Sequence, residues 1–295
     1  MIKKIKKLSI IIVTFESSQI IKSCLERLNC NKYDVFVVDN NSKDNTTKIV
    51  EEHFLEVKLI KLDNNIGYGR ANNVALRKIK TNYALILNPD AFILEEDIDK
   101  IIEAMDKNNN FALGAPILLE NYPPRKENIK KQKQIIEDNL INKINGDYSV
   151  KYIIGAVAFL KMSIFKKIGF YDENIFMYYE DDEISHRVVS NNYKCIIFNN
   201  IYGFHIGSGS STKTFHNIFK RNLHKYLSKF YWKQKQKGKI IAVKSAIRLL
   251  LLNCFMAMIN IINYKKLAAN LGYVIGSFYF IIGLKAFNKK GRARG

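Results

Sequence analysis

The densest cluster of chemistry-bearing side chains is Phe176-Met-Tyr-Tyr-Glu-Asp-Asp-Glu183, where four adjacent carboxylates follow four apolar or aromatic residues. Anions are favoured at a helix N-terminus, but capping needs one or two of them rather than four. Carboxylates this close push at least one pKa upward. That suits a general base acting on an alcohol. Asn88-Pro89-Asp90 offers a hard carboxylate ligand for Mg²⁺ or Mn²⁺ bridging a diphosphate. The same tripeptide is also an ordinary turn. Asp39, in Asp39-Asn40-Asn41-Ser42, is placed either to accept hydrogen bonds from a ribose or base or to form a turn. His205 stands before Gly207-Ser208-Gly209-Ser210-Ser211, a run suited to wrapping phosphate. Metal ligand, diphosphate contact and satisfied core histidine are all open to it. Arg221, Lys225 and Lys229 recur at spacing four and predict a positive stripe on a helix.

These residues need elements to carry them. Leu8–Val13 is a continuous apolar run, as a parallel strand buried on both faces requires. Strands are expected at Asp34–Val38, Val57–Lys61 and Tyr83–Leu87. Helices are expected near Ile21–Leu28, Asp44–Phe54, Ala71–Ile79 and Glu95–Lys107. Strand, polar loop and helix, repeated four times, indicate an α/β fold with a mostly parallel central sheet flanked by helices. In such a sheet ligands bind at the carboxyl ends of the strands. Thr14, Glu16, Asp39, Asn65, Asn88 and Asp90 fall there. No G-x-G-x-x-G follows the first strand and no G-x-x-x-x-G-K-[ST] occurs, which argues against a dinucleotide enzyme or a P-loop NTPase. Between Tyr122 and Asp147 the pattern weakens to Lys, Gln and Asn, a mobile loop or a solvated helical excursion. Asp181–Asn192 reads as a helix and Lys194–Phe198 as a late strand.

The formal net charge of +20 is localised. Glu183 is the last acidic residue, and residues 184–295 hold 20 Lys or Arg with no Asp or Glu. Residues 1–183 sum to zero. An acid-free stretch of this length should attract polyanions such as anionic headgroups, nucleic acid or phosphorylated substrates. Thr214–Lys239 is a basic, aromatic-studded helix candidate. Ile247–Ile262 and Leu267–Phe287 are apolar but interrupted. They read either as core helices or as amphipathic helices on a membrane, with Lys and Arg reaching for headgroups. The four cysteines show neither zinc-ligand spacing nor a disulfide framework, which favours a reducing compartment. The basic N-terminus followed by Ser9–Phe15 reads as a buried first strand rather than a signal peptide.

The motifs, taken in order, carry a resemblance. Ile10-Ile-Ile-Val-Thr14, Val38-Asp-Asn-Asn-Ser42, Asn65-Ile-Gly-Tyr-Gly-Arg-Ala-Asn-Asn73, Leu87-Asn-Pro-Asp90, Gly155-Ala156, Phe170-Tyr-Asp-Glu173, Phe176-Met-Tyr-Tyr-Glu-Asp181 and His205 together resemble glycosyltransferase family 2, in its rhamnosyltransferase-like branch. The resemblance runs from about residue 8 to 230. It implies a GT-A fold, inversion at the sugar carbon and a divalent cation, Mg²⁺ or Mn²⁺. It implies a GT-A domain over 1–230, and the location of the charge with the interrupted apolar stretches makes 231–295 the expected basic, apolar, membrane-associated helical extension. By position, Thr14, Glu16 and Asp39 would surround the nucleoside, and Asn65, Gly67, Asn72 and Asn88 would line the donor cleft. Asp90 and His205 would hold the metal, and Asp181 would be the base. Glu180 and Asp182 would shape its surroundings, with Gly155 and Ala156 bordering the acceptor. Thr14-Phe15-Glu16, Asp44-Asn45-Thr46 and Glu180-Asp-Asp-Glu183 depart from the family's usual Thr-Tyr-Asn, Asp-Gly-Thr and Glu-Asp-apolar-Asp. The last departure leaves Asp182 as an alternative base.

The expected activity is transfer of L-rhamnose from dTDP-rhamnose to a lipid-diphosphate-linked or growing polysaccharide acceptor. UDP-hexoses are the alternative donors. The expected location is peripheral, at the cytoplasmic face of a bacterial membrane, against an anionic surface. A basic nucleic-acid-binding protein is the reading from another class. No recognised nucleic-acid module supports it, and none is expected to bind.

Overall fold

The computed structural model describes residues 6–207 and 214–287. Its main chain divides into two compact units. One comprises the described residues of 1–63, 71–171 and 184–210. The other comprises those of 64–70, 172–183 and 211–295.

The first unit is built on one sheet. β1 (Leu8–Thr14) is buried along its whole length and lies between β2 (Asp34–Asp39) and β4 (Tyr83–Leu87), parallel to both. β3 (Lys58–Lys61) extends the parallel set beyond β2. The connections run through α1 (Ile21–Leu25), α2 (Thr46–His53) and α3 (Tyr68–Leu76). After β4 come β5 (Ala91–Ile93), α4 (Glu95–Lys107), β6 (Phe111–Leu119), α5 (Lys126–Asp138), β7 (Leu140–Ile144), β8 (Asp147–Val150), β9 (Val157–Lys161), α6 (Met162–Ile168), α7 (Glu180–Ser190) and β10 (Lys194–His205). The strand order is β3-β2-β1-β4-β9-β6-β10-β8-β7, with β5 paired to β10. β9 enters antiparallel between β4 and β6, while β6 and β10 are parallel. This is the mixed α/β sheet with flanking helices that the resemblance implies.

Period-two alternation explains the core. Ile10, Ile12, Val35, Val37, Leu85, Leu87, Val157 and Phe159 share one face and pack with Ile21, Leu25, Ile98, Ile101 and Met105 from the helices. The polar segment 122–147 resolves into helix α5 and the hairpin β7–β8. Asn145 (φ 52°) and Gly146 (φ 90°) form its two-residue turn between the paired Ile144 and Asp147. Both positions need positive φ, for which Asn-Gly is the favoured pair.

In the second unit, α8 (Phe215–Lys237), α9 (Lys239–Ile259) and α10 (Tyr264–Ile281) pack on one another. Thr214 Oγ1 caps α8 by accepting from Asn217 N at 3.2 Å, and Asn263 Oδ1 caps α10 by accepting from Lys266 N at 3.1 Å. Gly272 and Gly276 sit one turn apart on α10. A Cβ on either would lie 2.4 Å from a carbonyl oxygen of α8, of Phe219 and Leu223 respectively. The expected boundary at 230/231 falls inside α8. The apolar stretch expected from Ile247 starts earlier, because α9 is helical from Lys239. By length and composition α9 could cross a membrane, with mean hydropathy 1.8 over 18 residues.

Candidate functional site

The carboxyl edge of the sheet collects most of the expected residues. Since β2, β1 and β4 are parallel, Asp39, Thr14 and Asn88 reach the same edge. β9 runs the other way, so its leading residues Gly155 and Ala156 come to that edge, and Asn88 N donates to Ala156 O at 2.9 Å. β10 runs parallel to β6 and therefore also ends there, at His205.

Asp39 organises the turns at this edge. Its Oδ1 accepts from Thr14 Oγ1 at 3.0 Å and from Ser42 Oγ at 2.5 Å, and its Oδ2 accepts from Ser42 N at 2.9 Å. Ser42 Oγ in turn accepts from Glu16 N at 2.8 Å. The turn-forming role is thus realised in the structure, with Glu16 (φ 51°) and Asn41 (φ 69°) in left-handed backbone beside it. Asp44 ties the same two loops together, accepting from Ser18 N, Thr46 N and Thr46 Oγ1. Burial pushes its carboxyl up, but these hydrogen bonds outweigh it and hold the pKa below the ordinary value.

Asp90 and His205 are brought together by antiparallel pairing of β5 with β10, in which His205 lies opposite Ala91. His205 Nε2 is 3.2 Å from Asp90 Oδ1, and Ile206 N donates to Asp90 O at 3.1 Å. Burial raises the Asp90 carboxyl, while the hydrogen bond and charge of His205 lower it further than burial raises it. The hydrogen bond to Asp90 raises His205 against the opposing effect of burial. One carboxylate oxygen and one imidazole nitrogen this close form a donor pair of the kind that could hold Mg²⁺ or Mn²⁺. Among the described residues no group of three or more His, Cys, Asp or Glu could hold a metal by itself. The Gly/Ser run after Gly207 lies outside the described residues.

Asn72 is fully buried. Its neighbour Asn73 makes a reciprocal pair with Tyr171, donating from Nδ2 to the carbonyl at 2.9 Å and accepting from the amide at 3.0 Å.

The second unit carries Asn65, Gly67 and the acidic cluster. Asn65 Oδ1 accepts from Gly67 N at 3.0 Å, and Tyr68 N donates to Phe176 O at 3.1 Å. Gly67 has φ +86°, and a Cβ there would sit 2.4 Å from Phe176 O, so only glycine fits. Arg70 Nε donates to Glu173 O at 2.6 Å, and its guanidinium stacks 3.6 Å from the Phe287 ring. Two motifs a hundred residues apart are therefore one docked pair of loops.

Tyr178 (φ 65°) and Tyr179 (φ 68°) are consecutive left-handed residues immediately before α7. Side chains with a Cβ adopt this conformation at a cost that surrounding contacts must offset. Glu180, which starts α7, is buried, and its Oε2 has no hydrogen-bond partner among the described residues. Burial, then the adjacent Asp181 charge, pushes its pKa to about 8. Burial thus favours its protonated form and sets it apart from the half-buried Asp181 and Asp182. Burial also raises Asp182.

One face of α8 holds this loop. His224 stacks on Phe176 with ring centroids 4.1 Å apart, and Ser228 Oγ donates to Met177 O at 2.9 Å. Tyr231 OH donates to Asp172 Oδ2 at 2.9 Å, and Lys235 Nζ donates to Asp172 Oδ2 at 2.9 Å and Glu183 Oε1 at 2.7 Å. Burial raises Asp172, but Lys235, Asn174 and Tyr231 together bring it down to about 2. Positions 224, 228, 231 and 235 follow helical periodicity. That spacing is legible in the chain, on a face of α8 adjacent to the expected basic stripe at 221, 225 and 229.

The chain is 28% identical over 190 residues to the low-salt glycan biosynthesis hexosyltransferase Agl10 of Haloferax volcanii, covering 61% of each chain. It is 25% identical over 201 residues to rhamnosyltransferase WbbL of Escherichia coli K12, covering 61% of this chain and 75% of the relative. The chain therefore spans less than two thirds of the haloarchaeal relative's length. Mannosyltransferase PcManGT from Pyrobaculum calidifontis, in complex with GDP-Man and Mn²⁺, shares the fold with TM-score 0.58 at 14% identity, over 95% of this chain and 88% of that one. Staphylococcus aureus TarS 1-349 in complex with UDP-GlcNAc does so with TM-score 0.54 at 15% identity, over 94% and 92%. The model of glycosyl transferase family 2 matches residues 9–169, more than half of the chain, and the chain belongs to that family.

Proposed function

We propose that this protein transfers a sugar from a nucleotide donor to a hydroxyl of a glycan acceptor, with inversion at the sugar carbon. The observation that carries this reading is the Asp90–His205 pair at the carboxyl edge of a family 2 sheet. In a single displacement, the acceptor oxygen bonds to C1 of the donor sugar as the bond from C1 to the diphosphate breaks. Asp181 takes the acceptor's proton, and the nucleoside diphosphate leaves. Burial of Glu180 favours its neutral form, which would spare the half-buried Asp181 a like charge beside it. Thr14, Glu16 and Asp39 border the nucleoside, and Gly155 and Ala156 leave room for the acceptor. Asp90 and His205 would hold Mg²⁺ or Mn²⁺, which when bound supplies positive charge against the diphosphate.

The favoured donor is dTDP-L-rhamnose, in keeping with the relative named a rhamnosyltransferase. UDP-hexoses are the alternative, in keeping with the fold neighbour bound to UDP-GlcNAc. The acceptor is a lipid-diphosphate-linked or growing polysaccharide. The acid-free basic region supports a peripheral position on the cytoplasmic face of a bacterial membrane.

A thermal-shift screen of dTDP-rhamnose, UDP-glucose and UDP-GlcNAc, with and without Mn²⁺, tests the donor and the metal together. One donor should raise Tm only with the cation present. If no nucleotide sugar stabilises the protein and no nucleoside diphosphate is released in the presence of acceptor lipids, the reading is wrong.

A further inference from the structure

Helix α9 is built inside out for a protein in water. Its buried stripe is small or polar: Ala242, Ala246, Asn253 and Ala257. Its large apolar side chains face outward, with Leu251 63% exposed, Phe255 56% and Met258 67%. The turn into α10 continues this surface with Ile262, 97% exposed. Residues 249–264 carry no charge at all. A soluble helix buries its large apolar residues and leaves small or polar ones outside. Within the same unit, Gly272 and Gly276 let α10 approach the α8 backbone closely, so small residues make the helix contacts here too. A contiguous apolar face of this kind marks an interaction site.

We propose that the outward face of α9 and the α9–α10 turn lie in the plane of an anionic bilayer, with Leu251, Phe255, Met258 and Ile262 immersed in its acyl chains. Charge identifies the occupant. Lys244 and Arg248 stand on the exposed side of α9, Lys265 and Lys266 follow the turn, and no acidic residue occurs anywhere after Glu183. Such a rim complements phosphate headgroups. The same charges set the orientation. Arg248 is the tenth of 21 residues in α9, so a crossing helix would carry it to the middle of the hydrocarbon. Lys244 and Arg248 share the outward stripe of Leu251 and Phe255, one to two turns earlier, and a helix lying flat at the interface keeps their long side chains within snorkelling reach of the headgroups, as it does Lys265 and Lys266 after the turn. The surface therefore goes beyond electrostatic attraction, and the glycosyl-transfer reading is not needed to reach it.

The test is flotation of the full chain with vesicles of phosphatidylglycerol and phosphatidylethanolamine, beside vesicles of phosphatidylcholine alone. The wild type should float with the anionic vesicles. Combined Leu251→Gln, Phe255→Gln and Ile262→Gln should lower partition at least tenfold at both low and high salt, with the thermal melt preserved because these side chains are exposed. Lys244→Gln with Arg248→Gln should lower it mainly at low salt, where charge is least screened. Phe255→Trp should be quenched more by bromines near the headgroup end of the acyl chains than by bromines at the bilayer centre. Unchanged flotation of the apolar variant overturns the proposal. Deepest quenching at the bilayer centre overturns the flat orientation. A wild type that stays with the soluble fraction and forms a dimer abolished by the apolar substitutions shows that a second copy, not lipid, covers this face.

Discussion

Lys235 Nζ lies 2.7 Å from Glu183 Oε1 and 2.9 Å from Asp172 Oδ2, so one ammonium ties together the two ends of the loop that carries Asp181. Replacing Lys235 with Met leaves Glu183, itself nearly inaccessible to solvent, without that cation. The expected loss is about 1.5–3 kcal/mol, the range for a hydrogen bond to a charged group. Turnover should fall at least tenfold while affinity for the nucleotide stays close to wild type, and Lys235→Arg should recover most of the turnover. A Lys235→Met enzyme with unchanged kcat would show that the loop holds its shape without this tie.

Asp172 makes the acid side of the stability profile predictable. Its carboxyl sits at about 2 in the folded chain against an ordinary 3.8. The folded state therefore binds the proton less readily than the unfolded state. The stabilisation is fully present above pH 3.8 and is lost as the pH falls through 3.8 toward 2. Denaturant melts across that window should show a shallower decline for Asp172→Asn, together with lower stability at neutral pH.

Glu180 acts in the opposite direction. Its ordinary pKa is 4.5 and burial pushes it up to about 8, so between these values the folded state keeps a proton that the unfolded state releases. Stability falls as the pH rises across that window. Glu180→Gln should flatten this fall and melt higher than wild type at pH 8. A variant with the same pH slope as the wild type would place the titration elsewhere.

Gly67 is required twice over, by φ +86° and by Phe176 O at 2.4 Å from the position of a Cβ. Gly67→Ala should cost about 1–3 kcal/mol, as a strained backbone position does. Gly146→Ala is the comparison, because it has similar φ, +90°, and nothing within 4 Å. It should lose only about 1 kcal/mol from conformation alone. Thermal melts of the two variants separate backbone preference from the clash.

Asp90→Asn and His205→Gln each remove one member of the pair that meets at 3.2 Å. Calorimetric titration of Mn²⁺ in the presence of UDP should show at least tenfold weaker binding for either variant. Asp181→Asn should leave that titration unchanged and abolish transfer. Near-wild-type turnover by Asp181→Asn would move the base to Asp182.

Much of the sheet could be read from the chain. β1, β2 and β4 are apolar runs buried on both faces, and their pattern is local. The acidic start of α7 was equally plain, as was a raised carboxyl within it, because adjacent charges repel wherever they sit. The β7–β8 hairpin was announced by Asn145-Gly146 but hidden by the polarity of the residues around it. Which carboxylate would be raised was not local. Glu180 differs from its neighbours in burial, and the chain around it decides that.

By itself, then, the sequence determined the alternating α/β elements, the order of the family motifs and the accumulation of positive charge after Glu183. Each follows from residue type and spacing along the chain. Tertiary structure alone decided that Asp90 meets His205, because antiparallel β5 and β10 bring together positions 115 residues apart. It also decided that α8 grips the loop of Asp181 through Ser228, Tyr231 and Lys235, and that α9 turns its largest side chains outward. Hydrogen bonds and burial depend on which distant surfaces meet, and periodicity along one segment does not contain that information.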